Sequence, residues 1–245
     1  MTSPNADARS AEERFLADYD AAQFAHPSVA VDVALVTVDR GSLRALLVSR
    51  TEHPHLGALA LPGTFVGMDE SLEDASARVL RDKAGLEDIF VEQLFTFGAP
   101  DRDPRTRVIS VTYYALVDAE RFAKSGDGVC IVELDPGFEG EGGGPVTVRN
   151  DSGEAQPLAF DHEKMLELVV RRLRGKLDYA PIGFELLPRD FTLRALQEVH
   201  ETILGKRLNK DSFRRRMLAS GLVHPTGKSE ADVGHRPAEL YTFRR

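Results

Sequence analysis

The spacing of apolar and polar positions changes period several times along the chain. Residues 1–9 read as a disordered tail. Ser10-Ala11-Glu12-Glu13 then has capping-box spacing and predicts a helix to Phe24, ended by Pro27. Residues 29–38 read as a strand and 43–49 as its partner, across a turn at Asp39-Arg40-Gly41. Ser71-Leu72-Glu73-Asp74 opens a helix predicted to reach Ala84, where Gly85 suits the left-handed position after a helix. Strands are expected at 91–97, 108–117 and 129–134. Residues 136–145 hold five glycines and two glutamates and read as a solvated loop. A helix over 160–173 places Met165, Leu166, Val169, Val170 and Leu173 on one face.

A domain boundary is expected at 175–181, after which the pattern turns helical. Thr192 caps a helix to Leu204 with Leu193, Leu196, Val199, His200 and Ile203 at core spacing, and Asn209 caps a second helix over 210–220. Residues 222–224 and 240–243 read as two strands flanking a loop. Helix, glycine-containing turn, helix and hairpin is the order of a winged helix-turn-helix. Phe213, Met217 and Leu218 are expected to face its core, with Lys210, Ser212, Arg214 and Arg215 outward and Arg236 on the wing beside His235. An arginine there can enter a minor groove, and arginines on the helix can reach guanine edges or phosphates.

Length and composition fit this division. The chain has 245 residues, enough for two domains with separate cores. No stretch approaches 18 apolar residues, so no membrane helix is expected, and the polar N-terminus predicts no secretory signal and a cytoplasmic protein. The one cysteine, Cys130, excludes a disulfide framework and reads as a strand thiol. The net charge of −8 is uneven. Residues 176–245 hold 13 Lys and Arg against 9 Asp and Glu, a net of +4, and residues 1–175 carry −12. An acidic body with a basic C-terminal third points to two tasks.

The stretch from Leu61-Pro62-Gly63-Thr64-Phe65-Val66 to Gly85-Leu86 resembles the Nudix box, G-x5-E-x7-R-E-U-x-E-E-x-G-U with U aliphatic. In the register fixed by Gly85-Leu86, Glu70 takes the loop glutamate, Arg78 the arginine and Leu80 the aliphatic position, while Thr64 replaces the first glycine. The three metal-ligand glutamates fall on Val79, Asp82 and Lys83. Positions i, i+3 and i+4 share a helix face, and three carboxylates there hold magnesium against substrate phosphates. One carboxylate, one apolar side chain and one cation do not, so the resemblance implies a retained scaffold, no metal site and no hydrolysis through this box.

Phe97-Gly98-Ala99-Pro100-Asp101-Arg102-Asp103-Pro104-Arg105-Thr106-Arg107 sets three arginines before a strand. Each can fork onto a phosphate, or pair at the surface with Asp101 and Asp103. This run, with Phe191-Thr192-Leu193, Phe213-Arg214-Arg215 and Arg236-Pro237-Ala238 in the tail, resembles the ADP-ribose-recognising Nudix-related transcriptional regulators of the NrtR type. The resemblance implies an α+β protein. An N-terminal Nudix α/β/α sandwich with a mixed sheet would span 27–175 and a C-terminal winged helix-turn-helix 181–245. It further implies a homodimeric repressor of NAD-metabolism genes on a double-stranded DNA operator, with ADP-ribose or a related nucleotide as effector and no bound cofactor. Arg50, Phe65, Lys83, Arg102, Arg105 and Arg107 would contact the effector. Two alternatives stay open: an active pyrophosphatase drawing ligands from Glu70, Glu73 and Asp82, and a sugar-responsive regulator of the same architecture.

Overall fold

The computed structural model describes residues 10–244 apart from 127, 139, 141, 232, 233 and 235; the expected disorder at 1–9 and the wing residue His235 lie outside the described residues. Among them no helix is long and apolar enough to cross a membrane. Ser10 closes its capping box, its hydroxyl accepting from the Glu13 amide at 3.1 Å. Helix α1 (Ala11–Asp18) nevertheless stops well short of Phe24. It buries no residue, and the Asp20 carboxylate takes the Ala22 amide at 3.0 Å to start a separate turn over Ala21–Gln23.

Strands β1 (Ser28–Asp39) and β2 (Ser42–Ser49) form a hairpin, with Arg40 and Gly41 both at positive φ in its turn. Two short strands, β3 (Leu59–Ala60) and β4 (Gly63–Phe65), pair with β2 and β1. Helix α2 (Leu72–Val79) ends in a π-helical turn over Leu80–Ala84, capped by Gly85 at φ 66°. Next come β5 (Phe90–Phe97), β6 (Val108–Leu116), α3 (Ala119–Phe122), β7 (Val129–Pro136), β8 (Val146–Arg149) and α4 (His162–Lys176). The sheet order is β5-β6-β1-β2-β7-β8, mixed because β1 and β6 run parallel.

Alternation in the central strands splits the apolar residues between two layers. Val31, Val33 and Leu35 of β1 join Val111 and Tyr113 of β6 under α2. Ala34 and Val36 join Tyr114, Leu116 and the buried stripe Met165, Leu166, Val169, Val170 and Leu173 of α4. The result is an α/β/α sandwich. Cys130 is half-buried in β7 opposite Leu47.

The two domains have distinct hydrophobic cores, but the boundary expected at 175–181 is not an open linker between them. Helix α4 runs through Lys176, and a 3-10 segment (Pro181–Leu186) leads into β9 (Asp190–Thr192), α5 (Leu193–Leu204), α6 (Lys210–Ala219), β10 (Val223–Ser229) and β11 (Glu239–Phe243). Helix α5 is shared. Leu193 and Leu196 pack with Phe184, Phe191, Phe213, Met217 and Tyr241 in the winged-helix core, while Val199 and Ile203 enter the core that contains α4 and the β1–β2 hairpin. Strand β9 pairs with β11, so the wing sheet has three strands in the order β10-β11-β9.

His200 lies between these cores, edge-on to Phe213 with ring centroids 5.1 Å apart. Burial first, then the nearby Arg216 guanidinium, hold its pKa down to about 4. The unfolded imidazole takes a proton near pH 6.5, so between those values the unfolded chain binds more protons and stability falls as pH falls. The gap between 6.5 and about 4 corresponds to about 3 kcal/mol at most. Buried His162, whose pKa is lowered by desolvation against the attraction of Asp32, acts with the same sign. Melting temperature is therefore expected to drop from pH 7.5 to 5.5, with a smaller drop in His200→Gln. Identical drops in the two proteins would remove His200 as the cause.

Candidate functional site

The Nudix-box loop is held by Glu70 and Arg78, as the sequence led us to expect. Arg78 donates Nε to Glu70 Oε1 at 2.6 Å and Nη2 to Glu70 Oε2 at 2.8 Å, and Glu70 Oε2 also accepts from the Gly67 amide at 3.0 Å. The Arg78 guanidinium and that amide hold the Glu70 carboxyl at about 2. Thr64, standing where the box has glycine, is absorbed into the same network: its Oγ1 accepts from Arg78 Nη1 at 3.1 Å. Gly63 admits no other residue without rearrangement, since a Cβ there would lie 2.1 Å from Asp32 Oδ1.

Of the three metal-ligand positions, Val79 is 2% exposed and packs in the core under α2. Asp82 is exposed and pairs with Arg81 at 3.1 Å, and Lys83 lines the adjoining cleft. Glu73, the remaining carboxylate of the pyrophosphatase alternative, accepts from the Tyr113 hydroxyl at 3.3 Å. Among the described residues no group of three or more His, Cys, Asp or Glu converges as a metal site would require.

The cleft has a volume of about 400 Å³ and opens between β1, β2, β4 and the loop before β6. Arg50, Phe65, Lys83, Arg102 and Arg105 line it, with Asp32, Glu52, Asp103, Phe160 and His162. Arg107 does not; its guanidinium turns away to donate to the Ala99 carbonyl at 3.1 Å. The other arginines are not open forks. Arg102, its side chain 4% exposed, gives Nε and Nη2 to Asp161 at 3.0 and 2.7 Å, with Asp32 3.9 Å away. Arg105 forks onto Asp103 at 3.0 and 2.7 Å, the local pairing that the sequence left open. That hydrogen-bonded pairing lowers the Asp103 pKa against the opposing effect of burial. The Arg105 guanidinium stacks 5.6 Å from the Phe65 ring and 5.9 Å from Phe160, and Arg50 lies 4.8 Å over Phe160. The cleft thus presents cations and the aromatic faces of Phe65 and Phe160 above the buried carboxylates of Asp32 and Asp103. Such a lining suits a molecule with both phosphate charge and a planar ring.

Sequence reasoning missed Asp32, Phe160, Asp161 and His162. Asp32 carried a signal, since it is the single charged residue within the apolar run 29–38. It is buried, accepting from the Ser110 hydroxyl. His162 is buried too, its Nδ1 accepting from the Leu61 amide at 2.9 Å. The glycine-rich loop has a packing role: Arg174 sits 4.5 Å over the Phe138 ring and donates to the Phe138 carbonyl at 2.7 Å and the Ile203 carbonyl at 2.8 Å.

At the other end of the molecule, Asn209 caps α6 by accepting the Ser212 amide at 3.0 Å. Lys210, Ser212, Arg214 and Arg215 are exposed, and Phe213 and Met217 are buried. Leu218 departs from expectation at 43% exposed, because one turn separates Phe213 from Met217 and the next residue rotates off that seam. The wing is closed by Glu230 N–H to Ala238 O at 2.9 Å and Ala238 N–H to the Glu230 carboxylate at 3.0 Å, with Arg236 exposed between them.

A Nudix sandwich with a cationic cleft, joined by a shared helix to a winged helix carrying a basic face, defines a two-domain Nudix-related class. Comparison with known proteins agrees. The NUDIX domain profile matches residues 26–135, and the NrtR DNA-binding winged helix domain profile matches residues 183–243. The chain is 36% identical over 236 residues to the ADPR-responsive transcriptional repressor NtrR of Acinetobacter baylyi, covering 96% of this chain and 89% of that one. Shewanella oneidensis NrtR crystallised with a 27mer DNA superposes with a TM-score of 0.70 at 32% identity, over 88% of this chain and 93% of that chain. The NUDIX domain of that protein crystallised with ADP ribose gives 0.51 at 31% identity, over 67% of this chain and 99% of that chain. The chain belongs to the NrtR family.

Proposed function

We propose that this chain is a cytoplasmic transcriptional repressor of NAD-metabolism genes, which binds an operator through its winged helix and takes ADP-ribose or a related nucleotide in its Nudix cleft. The observation that carries the reading is the sharing of α5 between the core beneath an arginine-lined cleft and the helix-turn-helix. The similar Shewanella oneidensis protein, crystallised with DNA and, as its NUDIX domain, with ADP ribose, supports both halves. Phosphates entering the cleft meet Arg102, Arg105 and Lys83, while Phe65 and Phe160 offer ring faces. Lys210, Ser212, Arg214 and Arg215 on α6 and Arg236 on the wing meet the duplex. A two-fold operator calls for a homodimer, and the acidic N-terminal body is held off the phosphates by repulsion.

The cleft is read as non-catalytic. Magnesium, which Nudix hydrolases use, does not fit. Val79 is apolar and buried, Lys83 is cationic, Glu70 is committed to Arg78, and Asp82 is left as one carboxylate beside Arg81. Lys83 then supplies positive charge where the enzymes place metal. ADP-ribose is expected to remain intact with magnesium or manganese, and to bind equally well in EDTA. The check is chromatography of the nucleotide after incubation, with calorimetry in both buffers. Robust metal-dependent turnover would return the pyrophosphatase reading, and binding of pentoses in place of nucleotides would favour the sugar-responsive one.

A further inference from the structure

Asp161 stands at the N-cap of α4, the position where aspartate ordinarily accepts a backbone amide of the first helical turn. Here it does not cap: its side chain makes no cap hydrogen bond, and both carboxylate oxygens go to Arg102. The preceding residue, Phe160, is held at φ 56°, a left-handed conformation that non-glycine residues rarely adopt. Its ring forms part of the cleft wall under Arg50. The start of α4 is therefore kept by cleft contacts in an arrangement its own sequence does not favour.

The far end of the same helix reaches the helix-turn-helix. Arg174 donates Nε to the Ile203 carbonyl in the last turn of α5 at 2.8 Å, and Asp178, just beyond α4, lies 3.8 Å from Arg216 of α6. Between the ends, five side chains of α4 are fully buried against the sheet, so the helix moves as a unit or not at all.

We propose that Asp161 is an internal occupant of the effector's anion site and the trigger of the response. A phosphate that takes the Arg102 fork displaces the Asp161 carboxylate. The freed carboxylate caps the first turn of α4, and the shift of that helix is felt by α5 through Arg174. This rests on the reading of the cleft as a nucleotide site. It requires two arrangements of one element, each favoured by a different occupant of Arg102, as ligand-driven switching demands.

The test uses Asp161→Asn in the full chain, with ADP-ribose as ligand and the operator titrated by fluorescence anisotropy. In the wild type, saturating ADP-ribose is expected to change operator affinity at least tenfold. In Asp161→Asn, both ligands are expected to bind, ADP-ribose at least threefold more tightly because its charged competitor is gone, while the change in operator affinity falls below twofold. A variant that keeps the full wild-type change overturns the proposal. Should the variant not fold, hydrogen exchange on the wild type decides: ADP-ribose is expected to slow exchange of the Glu163 amide, and unaltered exchange across 158–170 overturns the trigger. Wild type that binds no ADP-ribose would overturn the nucleotide reading itself, and the trigger with it.

Discussion

Replacing Arg102 with alanine is expected to lower the stability of the fold by about 3–5 kcal/mol, the cost of removing one partner from a buried charged pair. The side chain is 4% exposed, and its loss removes the cation that lies 2.7 Å from Asp161 and 3.9 Å from Asp32. Arg102→Lys keeps the charge but not the paired donors and is expected to recover only part of the loss. ADP-ribose binding by the alanine variant is expected to weaken ten- to a hundredfold, the ~1.5–3 kcal/mol of a charge-assisted contact. Chemical denaturation and calorimetry read the two effects separately. A stability change under about 1 kcal/mol would mean that the Arg102–Asp161 pair is solvated rather than buried.

The second large effect concerns DNA. Arg214→Ala is expected to cost about 1–3 kcal/mol of operator binding and to relax specificity at one base position if the guanidinium reads a base edge. If it touches phosphate alone, all sequences weaken alike and the salt slope falls by about one. Arg215→Ala and Arg236→Ala are compared in the same titrations. ADP-ribose binding is expected to stay at the wild-type value in each. The domains share helix α5, but these side chains are exposed on α6 and the wing and line no part of the effector cleft.

Much of this molecule was legible in its sequence, and what was not follows a physical pattern. The long elements announced themselves: β1 and β6 by continuous apolar runs, α4 by its five-residue stripe, α2 by Ser71 at one end and Gly85 at the other. Strands β3, β4, β8 and β9 have two to four residues each, too few for a period to register. The apolar positions of α5 were visible as one stripe. A periodicity cannot say that Leu193 and Leu196 meet one core while Val199 and Ile203 meet another, so the two cores were expected but a helix serving both was not. The arginines of the cleft were found from local spacing, and Asp103 beside Arg105 was in view. Asp161, 59 residues from Arg102, was not, because only the packing of α4 on the sheet brings them together. Arg107 looked like a third cleft arginine, but the turn before β6 directs it to Ala99.

One titration tests the regulator most directly: labelled DNA from upstream of NAD-metabolism genes, against the full chain at ~150 mM salt, with and without ADP-ribose. The predicted result is a preference for that DNA over random sequence by at least about a thousandfold, the lower end for specific regulators, together with a displacement of the binding curve when ADP-ribose is added. Equal affinity for operator and random DNA, unmoved by the nucleotide, would contradict it.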